Sequence, residues 1–273
     1  MGKKILATSF DGVINHSINE CCLVSLNAYN GINPDSFFRR PIEPKEIKLV
    51  KNTLVLRGFT MLRPLVSIAE DYLVVLKLIE QDVDGVYELL ISESKEKLNP
   101  FLREFEKMKN EISKDVLKNF NQKFYQERKR LREDDLESWF NLQEPIEENI
   151  KELRKLSKEG FTIYITTSKD KESCSLLLDK YGLDFVKKEN ILSKGDGDIK
   201  KKIDLISKKE SIPPENIFLI NDILHSDLGE IKKNGIQVFL IKGGYSFQSD
   251  SDKAKEKGIK ILERGNFASV LKN

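Results

Sequence analysis

Short apolar runs alternate with stretches of helical periodicity along most of this chain, and that pattern leaves few architectures open. The runs are KKILATS at 3–9, FTIYITT at 161–167, NIFLIND at 216–222, IQVFLI at 236–241 and IKIL at 259–262. Each is short, continuous and rich in branched residues, as a strand buried on both faces is. Helical patterns separate them: EENIKELRKLSKEG at 147–160, KESCSLLLDKYG at 171–182, IKKKIDLISKKES at 199–211 and DLGEIKKNG at 227–235. Strands alternating with helices imply an α/β fold, a parallel sheet covered by helices on both sides.

Residues 15–144 break this rhythm, because long helix-like segments run there with little strand signal. We expect two domains: a Rossmann-like core from 1–14 and 145–273, and an inserted all-α domain over 15–144. A chain of 273 residues, 39% of them hydrophobic, is long enough for both. Phe101, Phe105, Met108, Ile112, Val116, Phe120 and Phe124 recur at steps of three and four, which predicts one apolar face of a single long helix. The charged run QERKRLREDDLESW at 126–139 mixes signs at helical spacing and reads as a solvated face. No internal repeat is evident, and QSDSDKAKEKG at 248–258 is too short for a linker.

Forty-six basic side chains nearly cancel forty-four acidic ones, for a net charge of +2. So weak a field favours neither nucleic acid nor a membrane surface, even with the local run RKRLR at 128–132. No apolar run is long enough to cross a bilayer and the opening MGKKILATSF lacks a signal-peptide core, so the cytosol is the expected location. Cys21, Cys22 and Cys174 have neither metal-site nor disulfide spacing and read as ordinary thiols. With His16 and His225 as the only histidines, a histidine metal cluster is excluded and a Ser-His-Asp hydrolase is a poor fit.

Chemistry gathers where the runs end. The first opens through Ser9 and Phe10 into Asp11 and Gly12, the second ends in Thr167, Ser168, Lys169 and Asp170, and the third in Asn221 and Asp222, with Asp227 five residues on. In a parallel sheet these ends meet at one edge, where such folds bind ligands.

These residues resemble the haloacid dehalogenase (HAD) superfamily. Its motifs are a strand followed by Asp-x-Asp-Gly, a strand ending in Thr or Ser, a Lys, and a strand followed by spaced acidic residues. Here SFDG (9–12), YITTSKD (164–170), the lysines 200–202 and INDILHSD (220–227) fall in that order. The likeness covers about 1–14 and 145–273. It implies a Mg²⁺-dependent phosphatase acting on a small phosphorylated metabolite, with the inserted region as a helical cap. By that likeness Asp11 is the general acid and base, Thr167 binds phosphate, and Gly12, Ser168 and Lys169 line the substrate. Asp11, Asp222 and Asp227 would ligate or orient Mg²⁺. The phosphate-neutralising lysine is Lys200, Lys201 or Lys202, with Lys200 taken first. Within the cap, RGFTMLRPLV (57–66) resembles an Arg-Pro element, through which Arg63 would reach a second anionic group.

Two positions depart from the pattern. Ser9 stands where the family has its attacking Asp, and Asn221 replaces the usual Gly before Asp222. A serine hydroxyl is a weak nucleophile without a base, and a phosphoserine lacks the labile acyl-phosphate bond. The expectation is therefore a phosphatase-class protein with weak or lost activity, or a non-enzymatic protein that binds or senses a phosphorylated ligand.

Overall fold

The computed structural model describes residues 3–33, 36, 40–51, 53–92, 95–224 and 227–272. His225 lies outside them. The chain divides into two compact units, one formed by Met1–His16 with Glu144–Asn273 and the other by Ser17–Gln143.

In the first unit, six strands form a parallel sheet. In chain order they are β1 (Lys4–Thr8), β4 (Phe161–Thr166), β5 (Ile191–Leu192), β6 (Ile217–Asn221), β7 (Gln237–Ile241) and β8 (Lys260–Leu262), and in space they run β5-β4-β1-β6-β7-β8. The remaining pair, β2 (Asn15–His16) and β3 (Glu144–Pro145), makes a short antiparallel ribbon. The first strand in sequence sits in the middle of the sheet, with Ala7 opposite Tyr164 on one side and Leu219 on the other.

Central position explains the composition of β1. Ile5, Leu6 and Ala7 are fully buried, as a strand covered on both faces requires. Ile5 and Ala7 belong to a cluster with Leu219, Val238 and Leu240 of the neighbouring strands and with side chains of α11 (Ile199–Glu210) and α12 (Leu228–Lys233). Each such Ile or Leu contributes roughly 1.5–3 kcal/mol by leaving water. The other helices of this unit are α9 (Glu147–Lys158), α10 (Lys171–Lys180), α13 (Gln248–Glu256) and α14 (Phe267–Lys272). Thus the polar stretch at 248–258 is mostly a surface helix.

The second unit is helical. It contains α1 (Ile18–Asn30), α2 (Ile47–Lys51), α3 (Leu54–Leu62), α4 (Asp71–Gln81), α5 (Val83–Ser92), α6 (Lys95–Glu111), α7 (Lys114–Asp134) and α8 (Leu136–Phe140). Phe59, Tyr72 and Phe124 stack in series, with ring centroids 5.1 and 5.5 Å apart, and tie α3, α4 and α7 together.

Two sequence expectations fail here. The apolar face from Phe101 to Phe124 does not lie on one helix, because Ser113 is extended (φ −62, ψ 145) and its hydroxyl caps α7 by accepting from Val116 N. A side-chain oxygen that satisfies an orphan N–H favours a new helix start over continuation. Nor is 126–139 a purely solvated face. Arg128 is buried, donates through Nε and Nη2 to the two oxygens of buried Glu20 on α1 at 2.6 and 3.0 Å, and lies 4.7 Å over the Phe124 ring. Arg132, Leu131 and Trp139 are buried as well. No helix among the described residues is long and apolar enough to cross a membrane.

Candidate functional site

Parallel pairing brings the C-terminal ends of β4, β1 and β6 side by side. The backbone continues this order one residue past the strands. Ser9 N donates to Ile220 O at 3.0 Å, and Thr167 N to Leu192 O at 2.9 Å. Ser9 therefore lies beside Asn221, and its hydroxyl donates to Asn221 Oδ1.

Beyond Ser9 the chain makes a tight turn. Ile14 N donates to Phe10 O at 2.9 Å and Gly12 N to Asn15 O at 2.8 Å, while Phe10, Val13 and Ile14 are fully buried. The turn leaves Asp11 between two buried anchors. Gly12 is required twice over: its φ is +78, and a Cβ there would meet Cβ and Oδ2 of Asp222 at 2.6 Å. Gly244, after β7, is as close on another side, since its Cβ would fall 2.8 Å from Asp222 Cβ. Asp222 thus packs against two glycines, and Gly244 is a residue that the motifs did not point to.

After β4 the loop closes through Thr167, whose Oγ1 accepts from Lys169 N at 3.0 Å. The Lys169 side chain is fully buried and puts Nζ 3.8 Å from Asp11 Oδ1. That carboxylate oxygen is itself buried and, among the described residues, accepts no hydrogen bond. Asp170 turns away to cap α10, accepting from Ser173 N at 2.9 Å. Ser168 is exposed.

Among the three lysines at 200–202, the one at the site is Lys202. It is 5% exposed and its ammonium donates to Thr167 O at 2.6 Å. Burial pushes it down to about 8, against the opposing pull of Asp196 and Asp198. Lys200, the first choice from the sequence, is instead half-exposed and ion-paired with Glu230 on α12. The reason is helical phase: Asp198 caps α11 by accepting from Lys201 N, and Lys202, Ile203 and Ile206 then face inward.

A comparison with solved structures finds chains of the same architecture. A hydrolase of the haloacid dehalogenase-like family from Streptococcus pneumoniae matches with a TM-score of 0.57 at 14% identity, over 96% of this chain and 93% of that one. A predicted phosphoglycolate phosphatase from Haemophilus somnus matches at 0.56 and 16%, over 99% and 97%. A predicted phosphatase from Clostridium acetobutylicum matches at 0.59 and 12%, over 99% and 98%. The fold is that of the haloacid dehalogenase-like hydrolases. No protein-family model matches the sequence, and no curated protein matches it.

Ser9, Asp11, Thr167, Lys169, Lys202 and Asp222 gather at this edge of the sheet, and the donors they offer do not suit Mg²⁺. That ion selects oxygen ligands and is held chiefly through carboxylates. Residue 9 supplies a neutral hydroxyl already donated to a neutral amide, and the Asp11 carboxylate faces an ammonium. Among the described residues no group of three or more His, Cys, Asp and Glu side chains is placed to hold a metal ion. Asp227 precedes α12 without capping it through its side chain.

Arg63, the expected contact for a second anionic group, is held by its own unit. Within the helical unit it is 7% exposed, donates through Nη1 to Val66 O at 2.9 Å, and lies 5.6 Å over the Tyr72 ring. These contacts fix the 3₁₀ turn at Arg63–Leu65.

Proposed function

We propose that this chain holds the phosphate of a small phosphorylated molecule at the ends of β1, β4 and β6 and hydrolyses it slowly or not at all. The observation that carries this reading is the Ser9 to Asn221 hydrogen bond. A serine attacks phosphorus only when a base takes its proton, and an amide oxygen is no base. If Ser9 did become phosphorylated, its ester would resist the second, hydrolytic step. What would hold phosphate remains: the Thr167 hydroxyl and two buried ammonium groups. Preorganised donors and cations of this kind stabilise an anion whether or not chemistry follows. The inserted helical unit is assigned the selection of ligand, as a cap, from its place in the chain between β2 and β3. With so small a net charge, neither nucleic acid nor a membrane enters this reading, and the cytosol is the compartment assigned to it.

Hydrolysis of an aryl phosphate with Mg²⁺ present, by the unaltered chain and by Ser9→Asp, tests the reading, alongside melting temperature with inorganic phosphate. The expected result is no turnover by the unaltered chain, a rise in melting temperature with phosphate, and loss of that rise in Thr167→Val. Turnover by the unaltered chain as fast as that of Ser9→Asp, lost in Asp11→Asn, would overturn it in favour of a working phosphatase.

A further inference from the structure

Two carboxylates and two ammonium groups at the ends of β1, β4 and β6 offset one another before any ion is added, with Asp170 capping α10 and Asp196 and Asp198 acting on Lys202 from the start of α11. Asp11 and Asp222 bring two negative charges, Lys169 and Lys202 bring two positive ones, and Ser9 and Asn221 are neutral and bonded to each other. A carboxylate at residue 9 would leave this edge net negative, and a divalent cation would then be needed to make it receptive to phosphate. With a hydroxyl there, that requirement is gone.

The geometry of the two lysines supports the same conclusion. Their side chains come from different elements, the β4–α10 loop and the first turn of α11, and the Lys202 ammonium reaches Thr167 while that of Lys169 is directed at Asp11. Lys169 gives its backbone N–H to Thr167 Oγ1 and Lys202 gives its ammonium to Thr167 O. Both residues are almost wholly buried, at 2% and 5% exposure, which is uncommon for lysine outside a paired or ligand-binding setting. An ammonium carries three N–H bonds, and Thr167 O takes one from Lys202. Lys169 places its positive charge 3.8 Å from the carboxylate that would otherwise attract a metal ion.

We infer that the site binds the phosphate of its ligand without a divalent cation, the Lys169 and Lys202 ammonium groups taking over the charge neutralisation that a metal ion would supply. The inference rests on the phosphate-binding reading above and adds what neutralises the phosphate. It assigns to Ser9 a role apart from lost attack: the serine removes the charge that made a metal necessary.

Calorimetric titration of the full chain with inorganic phosphate decides the matter, once in EDTA and once in excess Mg²⁺. The expected result is binding in EDTA with an affinity within about twofold of that in Mg²⁺. Lys202→Gln and Lys169→Met should each weaken phosphate by about tenfold or more, with circular dichroism and a cooperative melt confirming that the variant is folded. Ser9→Asp should bind phosphate only when Mg²⁺ is present. Binding by the unaltered chain in Mg²⁺ but not in EDTA would overturn the inference while leaving the phosphate-binding reading intact. Binding in neither condition would overturn both. The metal comparison uses the unaltered chain and stands even if Lys169→Met fails to fold.

Discussion

At residue 9 a hydroxyl and a carboxylate differ in charge as well as reactivity, and Asn221 is the neighbour that registers both. Its amide oxygen accepts from the Ser9 hydroxyl, so a carboxylate placed there would face another acceptor until the amide turned over. Ser9→Asp alone should therefore recover less activity than Ser9→Asp with Asn221→Gly. Phosphate release from an aryl ester in Mg²⁺ should show the double variant at least about 10² above the unaltered chain. Lys202 gives a second expectation. An ordinary lysine titrates near 10.5, whereas burial brings Lys202 to about 8, so its ammonium is complete below that pH and is lost as pH rises through it. Phosphate affinity should fall between about pH 7.5 and 9.5, and Lys202→Gln should flatten the profile. Without ligand the sign reverses: burying the ammonium opposes folding below 8, and because the unfolded chain then keeps a proton that the folded chain has lost, that penalty shrinks as pH rises to 10.5. Strand-end residues such as Ser9, Thr167 and Asp222 are legible in the sequence because an apolar run announces where a buried strand stops. Lys202 is legible too, because Ile199, Lys202, Ile203 and Ile206 share one helical face and Lys200 does not. The packing of Gly244 on Asp222 was not legible, because it depends on β7 lying next to β6.

Elements of the helical unit show how local chemistry overrides periodicity. The apolar positions from Phe101 to Phe124 keep helical spacing across Ser113, so periodicity carries no mark of the break. The cap that makes the break is a single hydroxyl. Charge pattern misleads in the same way along α7. Its alternating signs resemble a solvated helix, but Arg128 is drawn inward by Glu20, which stands more than a hundred residues earlier in the chain. Long-range pairing of this sort leaves no trace in a local window. Removing one partner strands the other charge in the interior, so Arg128→Ala should cost about 3–5 kcal/mol in urea denaturation. Glu20→Leu combined with Arg128→Met should recover most of that loss, since two apolar side chains leave no buried charge.

For the whole molecule, the two units differ in how the chain builds them. The helical unit is one continuous stretch with its own stacked aromatic core, whereas the sheet unit takes its central strand from the far end of the sequence. An excised 17–143 segment should therefore unfold cooperatively and keep its helical circular dichroism. A 144–273 segment should not fold, because without β1 the edges of β4 and β6 that pair with it face each other across a gap. The alternation of strands and helices conveyed the parallel sheet, but not the order of strands within it, which depends on side-by-side packing that no single run encodes. The place of β1 also has a consequence in time. A ribosome adding about 5–20 residues per second makes Thr8 roughly 8 to 30 seconds before Phe161, its first partner strand, begins to appear. Throughout that interval the apolar segment KILAT has no sheet to join, so it stays open to association with other apolar surfaces until the second half emerges.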